Sequence, residues 1–193
     1  MYQLDLIILK FFNITISSNL LDVFFVTICD FSLWRWPLIP IIILLLWKGG
    51  PKGRWTVALT LIAIAIIDPT IYRVIKPLVG RLRPCQPESE IEWIRLIVGC
   101  GGRYAFPSSH AANFFGAAFV IGAFYKSSRY YLLPIAFLVS IGRIYLGVHY
   151  PSDVLGGFIY GIAVGLIVIA VSQKIFQAKI SGYIAGYFPA KKN

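Results

Sequence analysis

The sequence predicts an all-α fold, a polytopic membrane helix bundle built as a single domain. Hydrophobic residues make up 58% of the 193 residues and the mean hydropathy is +0.76. Charged residues reach only 13%, against roughly 25% in soluble domains. Apolar runs alternate with short polar breaks, which is the pattern of a chain that crosses a bilayer repeatedly. We therefore predict about five transmembrane helices, or six if the N-terminal region also crosses.

The charge balance points to a lipid surface as the partner. The net charge is +10 and the isoelectric point is near 9.7, yet the basic residues lie between apolar runs. A nucleic-acid-binding protein would need a solvated basic face. We therefore expect the lipid bilayer and a phosphorylated membrane lipid as partners, with no nucleic acid and no obligatory protein partner. The N-terminus shows neither a basic start nor a small-residue cleavage site, so we expect no cleaved signal peptide.

Residues 1–30 are predicted to form an interfacial amphipathic region. Apolar residues recur at helical spacing, but Asp5, Asn13 and Asp22 interrupt them. Neither half is apolar over the roughly 20 residues that a span requires. Asn19 marks a helix start between the halves. Two interfacial helices are the favoured interpretation, and a single kinked span is the alternative.

The transmembrane bundle is predicted over residues 31–171, followed by a basic interfacial tail over 172–193. Tryptophans at both ends of the first span, among them Trp34 and Trp47, form the aromatic belt expected where a helix meets the membrane surface. The five predicted spans cover residues 31–47, 55–75, 110–125, 130–146 and 154–171.

Asp68 is an ionisable group at membrane depth within the second span. Asp68, Tyr72 and Lys76 recur every four residues, so they share a helix face if the following Pro69 rotates the helix little. A carboxylate in this environment is costly and usually has a partner. A structural aspartate paired with a neighbouring arginine is favoured over a catalytic role.

The three cysteines, Cys29, Cys85 and Cys100, do not have metal-ligand spacing. Cys85 and Cys100 flank one loop and could pair in an oxidising compartment, but unpaired thiols are the favoured interpretation. Two histidines without a supporting cluster of acidic residues cannot build a two-metal centre. We therefore predict no metal and no cofactor.

Three polar breaks carry the residues with chemical potential, at 76–84, 106–110 and 140–153. The two histidines of the chain, His110 and His149, lie in two of these breaks, and the third contains Lys76 and Arg83. With five spans, counting along the chain places all three breaks on one side of the membrane. The sequence therefore predicts a single site assembled from the three breaks.

The distribution of basic residues predicts that this side faces away from the cytoplasm. Nine lysine and arginine residues fall on the opposite side and nine on the site side. Three of the latter (Lys76, Arg83 and Arg143) are assigned to the site. Without these three the balance is nine against six, and the positive-inside rule then orients the site outward.

The site has the features of a phosphate-binding pocket. A helix starting after Pro107, with Ser108 or Ser109 as its cap, presents free N–H groups and a positive dipole end to an anion. Lys76, Arg83 and Arg143 add fixed positive charge, and arginine binds phosphate oxygens bidentately. So many converging donors favour a phosphoryl group over a carboxylate.

His149 is the candidate nucleophile for phosphoryl transfer. An imidazole can attack phosphorus and form a covalent intermediate that water later hydrolyses. Asp153, four residues further on, can hold one ring nitrogen as an N–H donor and aim the other, as in a catalytic triad. His110 is then the candidate acid for the leaving group.

These residues resemble the three motifs of the type 2 phosphatidic acid phosphatase superfamily. The motifs are Lys76-x6-Arg83-Pro84, Pro107-Ser108-Ser109-His110 and Arg143-x5-His149-x3-Asp153. The resemblance implies catalytic roles for His149, Asp153 and His110. It also implies phosphate binding by Lys76, Arg83, Ser108, Arg143 and the Ser109 amide. Ser109 and Gly142 depart from the usual Gly and Ser, which affects the pocket's fine geometry.

The resemblance further implies a metal-independent lipid phosphatase. Its expected location is the bacterial inner membrane, with the active site facing the periplasm or the cell exterior. The resemblance also suggests the 1-phosphate of lipid A as the substrate, because the chain is compact, has no predicted soluble domain and has a basic mouth. Four further arginines around this mouth suit a head group with several negative charges. These arginines are Arg73, Arg81, Arg95 and Arg103.

Other functions use the same residues or the same surface. Undecaprenyl diphosphate and phosphatidylglycerol phosphate are competing substrates, and transfer of phosphate to a second lipid is an alternative reaction. A non-enzymatic carrier or channel for anionic lipids is a different class, which gives no reason for an aspartate four residues after His149.

Overall fold

A computed structural model describes residues 2–175, and in this part of the chain eight α-helices form one bundle. Two of them, α4 and α5, belong to one continuous helical rod. The helices are α1 (Tyr2–Lys10), α2 (Asn19–Cys29), α3 (Phe31–Trp47), α4 (Gly50–Thr70), α5 (Lys76–Val79), α6 (Ser109–Phe124), α7 (Arg129–Tyr145) and α8 (Pro151–Ile175).

Local side-chain chemistry sets the starts of several helices. The Ser18 hydroxyl accepts a hydrogen bond from the Leu21 amide at the start of α2, and Asp30 accepts one from the Ser32 amide at the start of α3. Ser108 caps α6 in the same manner. Each cap satisfies a backbone N–H that has no partner within its helix. Pro151 opens α8, where its missing N–H costs nothing.

The long rod made of α4 and α5 changes its winding just before the first polar break. Pro69 cannot donate a backbone hydrogen bond, and Ile71–Ile75 follows as a π-helical segment. The rod then ends at Gly80, whose φ of +64° is a left-handed conformation that favours glycine. Lys76 is thereby placed near the end of a continuous helical rod, at the first polar break.

The core of the bundle lies among α4, α6 and α8, where α6 and α8 pack at backbone distance. A Cβ on Gly157 would collide with the Ser108 carbonyl oxygen, and one on Gly161 would collide with the Ala112 carbonyl oxygen. A smaller cluster joins α2 and α7 around Phe25 and Tyr145. In contrast, α3 buries none of its residues and lies on the outside of α4.

The positions of the helices confirm the predicted all-α membrane bundle, and the boundaries of the predicted helices hold within a few residues. Two helical stretches are long and apolar enough to cross a membrane, Gly50–Val79 and Pro151–Ile175. Phe31–Trp47 and Ser109–Phe124 are shorter apolar helices. The count of five spans therefore stays a prediction.

The N-terminal region forms two helical stretches that meet at an angle of 115°. Tyr2–Lys10 continues through the π-helical Phe11–Thr15, and a short break precedes Asn19–Cys29. The region is thus sharply bent, as a pair of interfacial helices or a broken span would be. The interfacial location itself stays a prediction. Of the predicted tail, residues 176–193 lie outside the described residues.

The expectation of unpaired thiols is wrong for two of the three cysteines. Cys85 and Cys100 form a disulfide that closes the loop between α5 and α6, whereas Cys29 is a buried free thiol. The sequence alone does not decide whether these two cysteines pair, because disulfide formation depends on the compartment that the loop faces. The same loop carries Arg83.

Candidate active site

The three polar breaks meet at one end of the bundle, as the chain count predicted. His149 is fully buried in the turn between α7 and α8 and lies within electrostatic range of Arg83, Arg143, Lys76 and His110. Each of these side chains comes from a break or from the helix end beside it. The structure thus brings all three predicted motifs into one buried, strongly cationic site.

His149 and Asp153 face each other across the start of α8. The His149 Nδ1 atom lies 3.4 Å from Asp153 Oδ2, and both side chains are buried. Asp153 Oδ2 also accepts a hydrogen bond of 2.8 Å from the Tyr150 amide. The separation from the ring nitrogen exceeds a normal hydrogen bond, as is common for catalytic pairs without substrate. The pair therefore has the topology that the sequence predicted.

Burial sets the protonation state of His149. The imidazole is removed from water, and the charges of Arg83, Arg143 and Lys76 further oppose its protonation. Both effects hold the pKa of His149 well below its usual value of 6.5. The ring is therefore neutral at physiological pH, with one nitrogen carrying an electron pair. A neutral imidazole is the form that can act as a nucleophile.

The N-terminus of α6 is anchored to the start of α8. The Ser108 amide donates a 2.9 Å hydrogen bond to the Asp153 carbonyl oxygen, and both Ser108 and Ser109 are buried. The Ser109 hydroxyl lies 3.1 Å from the Tyr72 hydroxyl. His110 follows in the first turn of the same helix. The helix dipole and the unpaired N–H groups of this turn therefore point toward the cationic site.

Two of the predicted phosphate-binding residues have buried donors that no protein group uses. Within residues 2–175, Lys76 Nζ and Arg143 Nε are buried without a hydrogen-bond partner, and so are both ring nitrogens of His149. Lys76 is only 3% exposed. Buried unpaired donors are costly unless a ligand satisfies them. Their common location favours an anion as that ligand.

Arg83 differs from the other two cations because the protein backbone holds part of its guanidinium group. Nε donates to the Tyr104 carbonyl oxygen over 3.2 Å, and Nη1 donates to the Cys100 carbonyl oxygen. Both acceptors belong to the disulfide-closed loop or its end. The loop thereby fixes the position of Arg83 without neutralising its charge.

The structure adds a group that the sequence analysis did not assign to the reaction centre. Arg81 donates through Nη1 to Asp153 Oδ1 at 2.7 Å and through Nη2 to Asp5 Oδ2 at 2.7 Å. Asp5 also accepts hydrogen bonds from the amide and hydroxyl of Ser152. The N-terminal helix α1 is thus tied to the residues around His149. No local spacing signals this contact, because Asp5 and Arg81 lie 76 residues apart.

Three of the four arginines assigned to the predicted basic mouth have carboxylate partners within the protein. Arg81 is held by Asp5 and Asp153. Arg95 forms two bonds of 2.7 and 2.8 Å with Asp22, and Arg103 lies 3.4 Å from Glu88. Arg73 is exposed. The number of arginines in the sequence therefore overstated the charge available to a head group.

The expected partner of Asp68 is also wrong. Asp68 accepts a 2.8 Å hydrogen bond from the Asn113 amide of α6 rather than an ion pair from an arginine. The predicted common face of Asp68, Tyr72 and Lys76 is present, because Asp68 and Tyr72 line one recess and Lys76 Nζ lies 4.6 Å from the Tyr72 ring. Within residues 2–175, no group of three or more His, Cys, Asp or Glu side chains could hold a metal ion.

Comparison with known proteins gives consistent results in sequence and structure. The family description "PAP2 superfamily" matches residues 55–177. A lipid A 4'-phosphatase of Bacteroides thetaiotaomicron is 37% identical over 182 residues, which cover 90% of this chain and 79% of that protein.

Two crystal structures share the fold. LpxE of Aquifex aeolicus aligns with a TM-score of 0.67 and 25% identity, covering 86% of this chain and 95% of that one. A PAP2-type phosphatidylglycerolphosphate phosphatase of Bacillus subtilis aligns with a TM-score of 0.71 and 25% identity, covering 92% and 88%. These likenesses extend well beyond the three motifs.

Proposed function

From the premise that the chain belongs to the PAP2 superfamily and is a membrane lipid phosphatase, we propose that it hydrolyses its substrate through a phosphohistidine on His149. The observation that carries the proposal is the buried His149–Asp153 pair, 3.4 Å apart, among Lys76, Arg83 and Arg143. The proposal assigns His149 as the nucleophile, Asp153 as its orienting carboxylate and the three cations as phosphate ligands.

The first step forms a phosphorus–nitrogen bond and breaks a phosphorus–oxygen bond. The neutral imidazole of His149 attacks the phosphorus atom. His110, which the negative charge of the bound phosphoryl group holds in its protonated form, donates a proton to the oxygen of the departing alcohol. Asp153 accepts the N–H of His149 and stabilises the positive charge that the ring acquires. In the second step water attacks phosphorus, His110 accepts a proton from this water, and the nitrogen–phosphorus bond breaks to release inorganic phosphate.

The cationic residues stabilise the charge that develops on the phosphoryl oxygens. Lys76 Nζ and Arg143 Nε are buried donors without a protein partner in the described residues, so a phosphoryl group can satisfy them both. Arg83 is held in place by loop carbonyl oxygens, and the Ser109 amide and the capped N-terminus of α6 add further donors. Such preorganised charge supplies much of the rate enhancement in phosphoryl transfer. No metal is needed in this scheme.

We propose a phosphorylated acyl-sugar lipid of the lipid A type as the substrate. The sequence prediction of the 1-phosphate is not confirmed, and the name of the Bacteroides relative supports the 4'-phosphate instead. Three of the mouth arginines that motivated the 1-phosphate prediction are bound to carboxylates. Phosphatidylglycerol phosphate is the second candidate, supported by the structural likeness to the Bacillus phosphatase.

The proposed location is the bacterial inner membrane, with the active site facing the periplasm. The Cys85–Cys100 disulfide lies in the loop that carries Arg83, and disulfides persist in oxidising compartments. The positive-inside balance of the sequence agrees with this orientation. Thiol labelling in intact spheroplasts tests it. A membrane-impermeant reductant followed by an impermeant maleimide should tag Cys85 and Cys100, and protection of both until lysis would reverse the orientation.

Purified full-length protein tests the function with three lipids. We expect inorganic phosphate from bis-phosphorylated lipid A, with the lost position identified by mass spectrometry, and slower release from phosphatidylglycerol phosphate and undecaprenyl diphosphate. The His149→Ala variant should release none, and excess EDTA should leave the rate unchanged. Full activity of His149→Ala, or abolition of activity by EDTA with rescue by a divalent cation, would contradict the mechanism.

A further inference from the structure

A second recess adjoins the phosphate site on the side of His110. It has a volume of about 220 Å³ and lies between α4 and α6. Its polar lining includes Asp68, Tyr72, His110 and Asn113, and its apolar lining includes Phe31 and Phe114. The proposed mechanism does not use Asp68, Tyr72 or Asn113. The mechanism therefore does not explain why the recess has a polar lining.

The orientation of Asn113 leaves one hydrogen-bond acceptor without a partner. Its side-chain amide donates to Asp68 Oδ1 over 2.8 Å. A carboxylate cannot donate in return, so this contact fixes which end of the Asn113 amide faces Asp68. The Asn113 carbonyl oxygen is buried and has no hydrogen-bond partner within residues 2–175. Buried acceptors of this kind are normally satisfied by a partner or a ligand.

The recess is lined by His110, which is the proposed acid for the leaving group. Asn113 follows His110 by three residues on α6, so both side chains lie on one helix face. Asp68 and Tyr72 are four residues apart on the facing helical rod, and the Tyr72 hydroxyl lies 3.1 Å from the Ser109 hydroxyl. His110 protonates the departing oxygen in the proposed mechanism. The alcohol that carries this oxygen therefore extends toward Asp68 and Asn113.

The chemistry of the recess selects what kind of alcohol fits it. Asp68 supplies a carboxylate and Asn113 supplies a free carbonyl oxygen, so both groups accept hydrogen bonds. A hydroxyl or an amide N–H near the phosphate would satisfy them, whereas a phosphate oxygen would be repelled by Asp68. The aromatic rings of Phe31 and Phe114 leave room for the carbon skeleton beside such a donor.

We propose that Asp68 and Asn113 form a specificity subsite that binds a hydrogen-bond donor on the leaving alcohol of the substrate. The inference rests on the proposed function, because the subsite has meaning only beside a phosphoryl-transfer site. Acylated sugar phosphates and phosphatidylglycerol phosphate carry such a donor close to the phosphate. Phosphatidic acid lacks it, because its leaving diacylglycerol has no second hydroxyl. Undecaprenyl diphosphate is disfavoured for two reasons. Its leaving group lacks such a donor, and this leaving group is itself an anionic phosphate.

The test compares substrates that differ in this donor, using the purified full-length protein. Wild-type protein and the variants Asn113→Leu and Asp68→Asn are assayed with phosphatidylglycerol phosphate and phosphatidic acid as a matched pair. The readout is the ratio of kcat/KM for the two lipids. We expect wild-type protein to favour phosphatidylglycerol phosphate. Each variant should lower the ratio by about 10- to 100-fold, because the donor loses its acceptor. Asp68→Asn should also improve the relative use of undecaprenyl diphosphate.

A control variant separates specificity from helix packing. Thr70→Val removes a polar group two residues from Asp68 on the same helix, where the hydroxyl donates to the Ile66 carbonyl oxygen. This variant should keep the wild-type ratio. Because the ratio is an internal comparison, a partly unfolded preparation of any variant does not alter it. If Asn113→Leu fails to fold, Asp68→Asn preserves the shape of the side chain and gives the same test.

The outcomes distinguish the subsite from the proposed function. An active wild-type protein that depends on His149, with equal ratios in all variants, would overturn the subsite alone. Equal loss of activity toward both lipids in Asn113→Leu and Asp68→Asn would likewise overturn it and assign the pair to folding. A wild-type protein that releases phosphate from no lipid, or independently of His149, would overturn both proposals.

Discussion

The basic residues at the centre of the site and those at its rim have opposite environments. Lys76 Nζ and Arg143 Nε are buried without a protein partner among the described residues. At the rim, Arg95 binds Asp22 through two short hydrogen bonds, and Arg103 lies beside Glu88. The central cations are therefore available to a ligand, whereas these rim cations already have carboxylate partners.

Arg81 connects the two regions. One of its nitrogens contacts Asp153 and the other contacts Asp5, so an ion pair of the rim reaches Asp153, the proposed orienting partner of His149. Position in the sequence does not separate the two roles, since Arg81 lies between Lys76 and Arg83. Only the presence or absence of a carboxylate partner separates them.

Replacement of a central cation should have the largest effect on activity and little effect on stability. Lys76→Met keeps the aliphatic length but removes the charge, so we expect kcat/KM to fall by about 10²- to 10³-fold. The midpoint of thermal unfolding should not fall, because the lost charge is buried and unpaired. Phosphate release and thermal unfolding in detergent check the two parts. Lys126→Met at the opposite end of the bundle is the control, and wild-type kcat/KM in Lys76→Met would contradict the assignment.

Replacement of Arg81 or Asp5 should lower kcat by about tenfold. This is the low end of the range for residues that act on a functional side chain through another residue. The pH profiles should shift in opposite directions. In Arg81→Gln a positive charge beside the His149–Asp153 pair is lost, which favours binding of a proton by the pair and moves the acid limb of kcat/KM to higher pH. In Asp5→Asn the charge of Arg81 is less compensated, so the acid limb moves to lower pH. If Arg81 and Asp5 had a purely structural role, both variants would lose activity and the acid limbs of their pH profiles would coincide.

Replacement of Arg95 should act on stability alone. Arg95→Gln removes the bidentate pair with Asp22, which is partly exposed, and we expect unfolding to become easier by about 1 kcal/mol or less. The kcat/KM of the folded protein should stay at the wild-type value. Chemical denaturation in detergent and lipid assays measure both, with Asp22→Asn as the matched partner. A large loss of kcat/KM at unchanged stability would restore Arg95 to the substrate-binding mouth.

Replacement of Arg103 should have the smallest effect. The Arg103–Glu88 contact is 3.4 Å long and both side chains are more than half exposed, where ion pairs contribute little. Arg103→Gln should therefore leave the unfolding midpoint and the KM for bis-phosphorylated lipid A unchanged at moderate salt. An increased KM that is specific to this multiply charged lipid would indicate a direct contact with the head group.

Much of the fold and the site follows from local sequence signals. Apolar runs set the helices, and the confirmed membrane bundle has α3 at the predicted residues 31–47. The four-residue spacing of His149 and Asp153 places them on facing sides of one turn, as the structure has them. The order of the helices along the chain brings the three breaks together, because the first two lie at the ends of one loop and α6 and α7 return the chain to the same end of the bundle.

The remaining features depend on contacts between distant parts of the chain. Asp5 reaches Arg81 across 76 residues, and Asp22 reaches Arg95 across 73. A basic residue at a helix end has the same appearance in sequence whether it binds a lipid or a carboxylate, so the basic mouth was overpredicted. The pairing of Cys85 with Cys100 depends on the redox compartment, and the choice of Asn113 over an arginine as the partner of Asp68 depends on the packing of α6 against α4.

Trapping of the covalent intermediate tests the central role of His149 most directly. Purified protein is mixed with lipid substrate labelled in its phosphoryl group and quenched in alkali within the first turnover. We predict a labelled protein whose bond survives alkali and breaks in acid, with the phosphoryl group mapped to His149. The label should be absent from His149→Ala and formed more slowly in Asp153→Asn. Labelling of His149→Ala, or full turnover in wild-type protein without any labelled intermediate, would contradict the mechanism.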